Sequence, residues 1–154
     1  MSIRNIAADA DVSALVDRAE QAHAALMCGD VARYRALIET TADFTLMSPF
    51  GGKPSRGTTS NEEWAAIGRF FKDGKDSTLK LVQAYRSADL VVLAAIERTH
   101  VAVGAIPAQD WGLRVTLVFR RENGRWLLAH RHADALAGGI SAEQAAALAR
   151  ISPG

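Results

Sequence analysis

A single cysteine in 154 residues, Cys28, leaves this chain unable to close an internal disulfide, and no Cys/His spacing resembles a tetrahedral zinc site. Cys28 itself reads as a small buried hydrophobe on a helix. No apolar stretch reaches the roughly 18 residues that span a membrane, and the N-terminus lacks a basic segment followed by an apolar run. A cytoplasmic location is therefore expected, with no membrane partner. Neither sign of charge is in excess, since 18 Lys and Arg face 17 Asp and Glu. Such a balance creates no field able to gather phosphate backbones, so nucleic acid is not an expected partner. The segment "FGGK" lacks the length and pattern of a phosphate-binding loop, so neither a nucleotide nor any other cofactor is expected.

What is present suits an ordinary folded domain. With 49% hydrophobic and 23% charged residues the chain can bury a continuous core without disulfide or metal staples. Its length predicts one domain over 1–154, with the core in about 10–135.

Apolar residues Val12, Leu15, Val16, Ala19, Ala22 and Leu26 recur at spacings of three and four, which predicts an amphipathic helix over 11–27 ended by Gly29. Asp30 caps a second helix to Ile38, with Val31, Tyr34, Leu37 and Ile38 on one face. In "DFTLMSPFGG" the spacing changes to that of a short strand, broken by Pro49 and two glycines. Asn61 then caps a third helix whose Trp64, Ile67, Phe70 and Phe71 are expected to face the core. Runs at 78–87, 90–103, 111–121 and 125–133 read as strands, the last two joined by the hairpin signal Asn123-Gly124. Ser141 with Gln144 forms a capping box for a short helix over 141–150. Helices followed by strands predict an α+β fold, with three N-terminal helices covering one face of an antiparallel sheet.

Two helices joined at "CGD", a strand ending "SPFGG", a third helix and a meander closing on "RVTLVFRRENGRWLLAHRHAD" resemble the nuclear transport factor 2 superfamily. Within it the chain looks closest to the SnoaL-like and ketosteroid-isomerase-like branch, and its last hairpin is similar to the association domain of calcium/calmodulin-dependent kinase II. The resemblance covers roughly 10–135 and implies a cone-shaped, curved sheet with the helices on its concave face. Ketosteroid isomerases place a general-base Asp before the Pro that follows the first strand, and an oxyanion-hole Tyr on the first helix. The corresponding positions here are Ser48 and Ala22, so that mechanism is not carried over.

Residues of equal parity share a face of a strand. One face then takes Leu113, Val115, Leu117, Phe119, Leu127, Ala129 and Arg131, and on the strand before it Val91, Leu93, Ala95, Glu97, Thr99 and Val101. Glu97 and Arg131 are the odd polar residues on this apolar surface. They form either a strand-linking ion pair or, with Glu97 as acid or base and Arg131 holding an anionic group, a functional site. The opposite face would carry Arg98, His100, Arg114, Thr116, His130 and His132 beside Trp126 and Leu128. His130 and His132 are candidate acid/base residues there and Arg114 a candidate ligand contact, or the whole face packs against a second copy in a homodimer. This sorting depends on register, because a one-residue bulge exchanges faces.

Tyr34, Phe44, Met47, Phe50, Trp64, Phe70 and Trp111 are the large side chains best placed to line an apolar pocket. Two functions follow: a small-molecule binder or cofactor-free acid/base enzyme acting on an apolar or carbonyl compound, or a non-catalytic dimerization or ligand-sensing module.

Overall fold

The computed structural model describes residues 9–150; the ends of the expected unit, 1–8 and 151–154, lie outside it. Helix α1 (Ala10–Met27) starts where the Asp9 carboxylate accepts from the Asp11 and Val12 amides, and Arg86 holds the same carboxylate at 2.8 Å. The helix buries Val12, Leu15, Ala19, Ala22 and, among these apolar side chains, His23. Gly29 then turns the chain at a φ of 75°, and its Cα passes so close to Gly68 that a Cβ would lie 2.5 Å from the Gly68 carbonyl oxygen. Only glycine fits there. Cys28 is not buried as expected; it lies just past the end of α1, is exposed, and its Sγ donates to the Gly74 carbonyl.

Helix α2 (Val31–Leu37), capped by Asp30, leads into strand β1 (Thr40–Met47) and the two-residue β2 (Ser55–Arg56). Helix α3 (Asn61–Phe70) begins one residue earlier in its capping than the sequence suggests. Ser60, not Asn61, closes a capping box with Glu63. Strands β3 (Phe71–Arg86), β4 (Leu90–Val103), β5 (Ile106–Glu122) and β6 (Arg125–Ala135) follow, and α4 (Ala142–Ala149) starts at the expected Ser141 and Gln144 capping box. The six strands lie in the order β2-β1-β6-β5-β4-β3, an open sheet that is antiparallel except where β1 runs parallel to β6. Helix α1 packs across β3 and β4, so the architecture is the expected α+β one.

Two strands are longer than periodicity indicates. β3 begins seven residues early because its first part, "FKDGKDS", pairs with β4 through register shifts, with Asp73 and Asp76 at positive φ. Bulges of this kind erase the alternation that marks a strand. β5 begins at Ile106, where a polar, proline-containing segment is exposed and presents no apolar face to read.

The decisive irregularity is in β6. Asn123 (φ 51°) and Gly124 (φ 77°) form a two-residue turn that pairs Glu122 with Arg125. Register then shifts by one at Ala129, since Phe119 pairs with Leu128 but Val118 with His130. Leu128 therefore sits in the core cluster beside Phe119, and Trp126 packs against that cluster. Leu127, opposite Arg120, takes the other face. Simple parity put these three the wrong way round, whereas Arg131, His130 and His132, beyond the bulge, lie where parity placed them. Leu128→Ala should consequently cost about 2–5 kcal/mol, the range for a buried leucine. Urea denaturation measures it, and a loss below about 1 kcal/mol would contradict the register.

Candidate functional site

Between the helices and the sheet lies an open-mouthed cavity of about 380 Å³. Leu26 and Met27 of α1, Tyr34 of α2, Phe44 and Leu46 of β1, Trp64 and Ile67 of α3, and Trp111 and Leu113 of β5 supply walls, and Arg131 of β6 is the charged lining residue. The aromatic stripe of α3 thus faces this cavity; none of the helix's residues is buried. Phe50, in the loop after β1, stands over the mouth with its ring 5.5 Å from Phe70 and 6.0 Å from Trp111. Tyr34 and Trp64 pack with ring centroids 5.5 Å apart.

Beneath the cavity is a smaller pocket of about 30 Å³, bordered by His23, Glu97, Tyr34 and Arg131. Tyr34 and Arg131 border both spaces. Arg131 donates from Nη1 and Nη2 to the two Glu97 oxygens at 2.8 and 2.7 Å, although β5 separates their strands. Glu97 is 3% exposed, while the Arg131 side chain keeps 19%. Arg131 is thus the half of the pair that the cavity reaches. Burial alone raises the Glu97 pKa. The charge of Arg131, its two hydrogen bonds and the nearby His23 more than reverse this and hold the carboxyl below its ordinary range. Burial likewise lowers the Arg131 pKa, but Glu97 outweighs it and keeps the guanidinium charged. A carboxyl held ionised in this way is poorly suited to donate a proton near neutral pH.

Burial raises the Tyr34 pKa, so its phenol stays protonated, with the charges of Arg131 and Glu97 acting on it in opposite senses. Among the described residues its hydroxyl has no hydrogen-bond partner, and no buried side-chain polar atom is left unpaired. The hydroxyl therefore keeps some access to solvent, and Tyr34 borders both the cavity and the lower pocket. His23 donates from Nε2 to the Arg98 carbonyl at 3.2 Å, and its Nδ1 lies 3.7 Å from Glu97 Oε1.

Of the residues proposed from sequence, Tyr34, Phe44, Phe50, Trp64, Trp111 and Arg131 line the cavity, and Glu97 lies directly behind Arg131. Met47 is 40% exposed and is not part of the lining. His130, His132 and Arg114 are on the other face of the sheet. His130 is 2.7 Å from the Thr45 hydroxyl, and Arg114 forms a forked pair with Asp134. Ser48 and Ala22, compared above with the base and oxyanion donor of ketosteroid isomerases, border the cavity and the lower pocket respectively. The Ser48 hydroxyl accepts from the Phe50 amide and so braces the turn. Sequence reasoning missed His23, though it lies four residues after Ala19 on the apolar stripe of α1, a position where a lone histidine is conspicuous. Among the described residues no group of three or more His, Cys, Asp or Glu is placed to hold a metal.

Replacing Glu97 by Gln leaves Arg131 without a compensating charge, at an expected cost of about 3–5 kcal/mol. Because the folded-state pKa of Glu97 is depressed, its contribution is fully present above the ordinary carboxylate range and is lost as pH falls through the folded value. The gap between wild type and Glu97→Gln in urea denaturation should therefore be widest near neutral pH and shrink in acid. A gap independent of pH would show that the pair does not carry the difference.

No curated protein sequence matches the chain. Solved structures share its fold. A nuclear transport factor 2-like superfamily protein from Salmonella enterica is 16% identical with a TM-score of 0.66, covering 87% of this chain and 99% of its own. A candidate ketosteroid isomerase from Shewanella frigidimarina is 25% identical with a TM-score of 0.58, covering 79% and 94%. The association domain of calcium/calmodulin-dependent kinase II from C. elegans is 16% identical with a TM-score of 0.59, covering 82% and 96%. The SnoaL-like domain family matches residues 15–137, most of the chain and every element that forms the cavity, and the chain belongs to that family.

Proposed function

We propose that this domain binds a small, mainly apolar molecule carrying one carbonyl or carboxyl group. The observation that carries the reading is a cavity of about 380 Å³ with aromatic and aliphatic walls and few polar side chains, of which Tyr34 and Arg131 also border the lower pocket. This volume is within the usual range of about 300–1,000 Å³ for small-molecule sites, and few polar groups in an apolar wall is their usual composition. Arg131 can only donate and the protonated Tyr34 phenol can donate beside it, so a ligand group that meets both is an acceptor. Glu97 serves to hold Arg131 at the cavity floor, and turnover through Glu97 as acid is not part of the reading.

Fluorescence enhancement of N-phenyl-1-naphthylamine should report one site per chain. Filling the cavity with Ala66→Trp should abolish it. Tyr34→Phe, which removes one hydrogen bond, should weaken 1-acetonaphthone binding by about fivefold to tenfold and leave 1-ethylnaphthalene unaffected. Equal loss for both compounds would remove the hydroxyl from the reading.

We also propose a homodimer formed through the outer face of the sheet. There a groove of about 420 Å³ runs past Val82, Ala94, Ile96, Arg114, Thr116 and His132, and Val82 is 62% exposed. Exposed apolar surface beside polar groups is ordinary interface material. Light scattering at micromolar concentration should give about twice the 16.5 kDa chain mass, and Val82→Asp should shift it toward one. A monomeric wild type would rule this out.

A further inference from the structure

His23 is a buried titratable group with no role in the ligand contacts just described, although it sits against them. Its Nε2 is 3.2 Å from the Arg98 carbonyl oxygen, which can only accept, so Nε2 carries the hydrogen and Nδ1 is the nitrogen free to gain one. Nδ1 faces Glu97 Oε1 at 3.7 Å, beyond hydrogen-bond reach, and Arg131 Nη2 already holds that oxygen at 2.7 Å. The groups that face His23 are Glu97 from β4, Arg131 from β6 and Tyr34 from α2, all bordering the same lower pocket. Glu20, on α1 itself, is engaged by the Leu79 amide of β3.

With Nδ1 unprotonated the cluster contains one positive and one negative charge. A carboxylate seated on Tyr34 and Arg131 would leave it net negative where little water reaches, and an uncompensated charge in such a place is costly. One proton on Nδ1 restores neutrality and gives Glu97 a second cationic neighbour, which frees part of the Arg131 charge for the ligand. Resting on the ligand-binding reading above, we propose that the cavity takes up a carboxylate ligand together with one proton, held by His23 Nδ1 against Glu97. The balance is simple: ligand anion and solvent proton enter, one N–H bond forms on His23, and the cluster with its ligand ends neutral. A neutral carbonyl ligand brings no charge and recruits no proton. His23 is thereby a positioning residue that makes the choice between carboxylates and neutral compounds depend on pH.

Titration calorimetry with 1-naphthoate and its neutral counterpart 1-naphthamide, at about pH 7.5 in buffers of different ionisation enthalpy, counts the protons. Net proton uptake should accompany 1-naphthoate binding and be absent with 1-naphthamide, and 1-naphthoate affinity should fall as pH rises. His23→Gln can still donate to the Arg98 carbonyl. It should abolish the uptake and flatten the pH profile while leaving 1-naphthamide affinity unchanged. In wild-type protein, long-range nitrogen NMR should find hydrogen on both His23 ring nitrogens only in the 1-naphthoate complex, a readout that holds even if the variant folds poorly. Binding of 1-naphthoate without proton uptake, or uptake that persists in His23→Gln, overturns the inference and leaves the ligand-binding reading standing. Binding of 1-naphthamide alone does the same, whereas binding of neither probe overturns both.

Discussion

The ion pair between Glu97 and Arg131 is the constraint on which the site depends. A carboxylate at 3% exposure is tolerable only with a charged partner and saturated hydrogen bonds, and Arg131 supplies both through its fork. The requirement runs in the other direction as well. Glu97 fixes a guanidinium at the junction of the two pockets, where a ligand meets a donor whose orientation is already determined. The pair also spans β5, so it ties the long central strands to β6 at the level of the cavity floor.

Around this pair the fold divides its labour by face. The inner sides of β4, β5 and β6 carry Val91, Leu93, Ala95, Val115, Leu117, Phe119 and Leu128 into one core under α1. Toward the other end of the strands that layer gives way to Glu97, Trp111, Leu113 and Arg131, and the helices no longer fill the space. The cavity is what remains when α3 lays an aromatic side over the sheet without burying any of its residues. On the outer face Arg114 pairs with Asp134 and His100 with Asp110, beside the groove that passes Arg114 and His132.

The family and the site point in compatible directions but at different resolution. Membership of the SnoaL-like family fixes the architecture, while the chemistry of the cavity is decided by a few side chains. Here the polar side chains that line the cavity are the hydroxyls of Tyr34, Thr40, Ser48 and Thr59 and the guanidinium of Arg131, with no carboxylate or histidine among them. That composition favours recognition of an acceptor over removal of a proton.

Read alone, the sequence determined the helices, the Asp30 and Ser141 caps, the meander and the place of Glu97 on an otherwise apolar strand face, because these depend on spacing within single elements. It also placed Tyr34, Trp64 and Trp111 among the large side chains able to line a pocket. What it could not determine was set by contacts between elements. The two-residue turn sends Trp126 and Leu128 inward and Leu127 outward, the bulge at Ala129 then returns Arg131 to the inner face, and nothing in the local pattern of β6 marks that bulge, since it arises from pairing with β5. The early starts of β3 and β5 are legible only beside β4. Whether Glu97 acts alone or paired, which side of Arg131 meets solvent, and that His23 joins them were likewise decided by three-dimensional packing. A charge's chemistry depends on which partners and how much water surround it, and residues from α1, α2, β4 and β6 meet around this one only once the chain has folded.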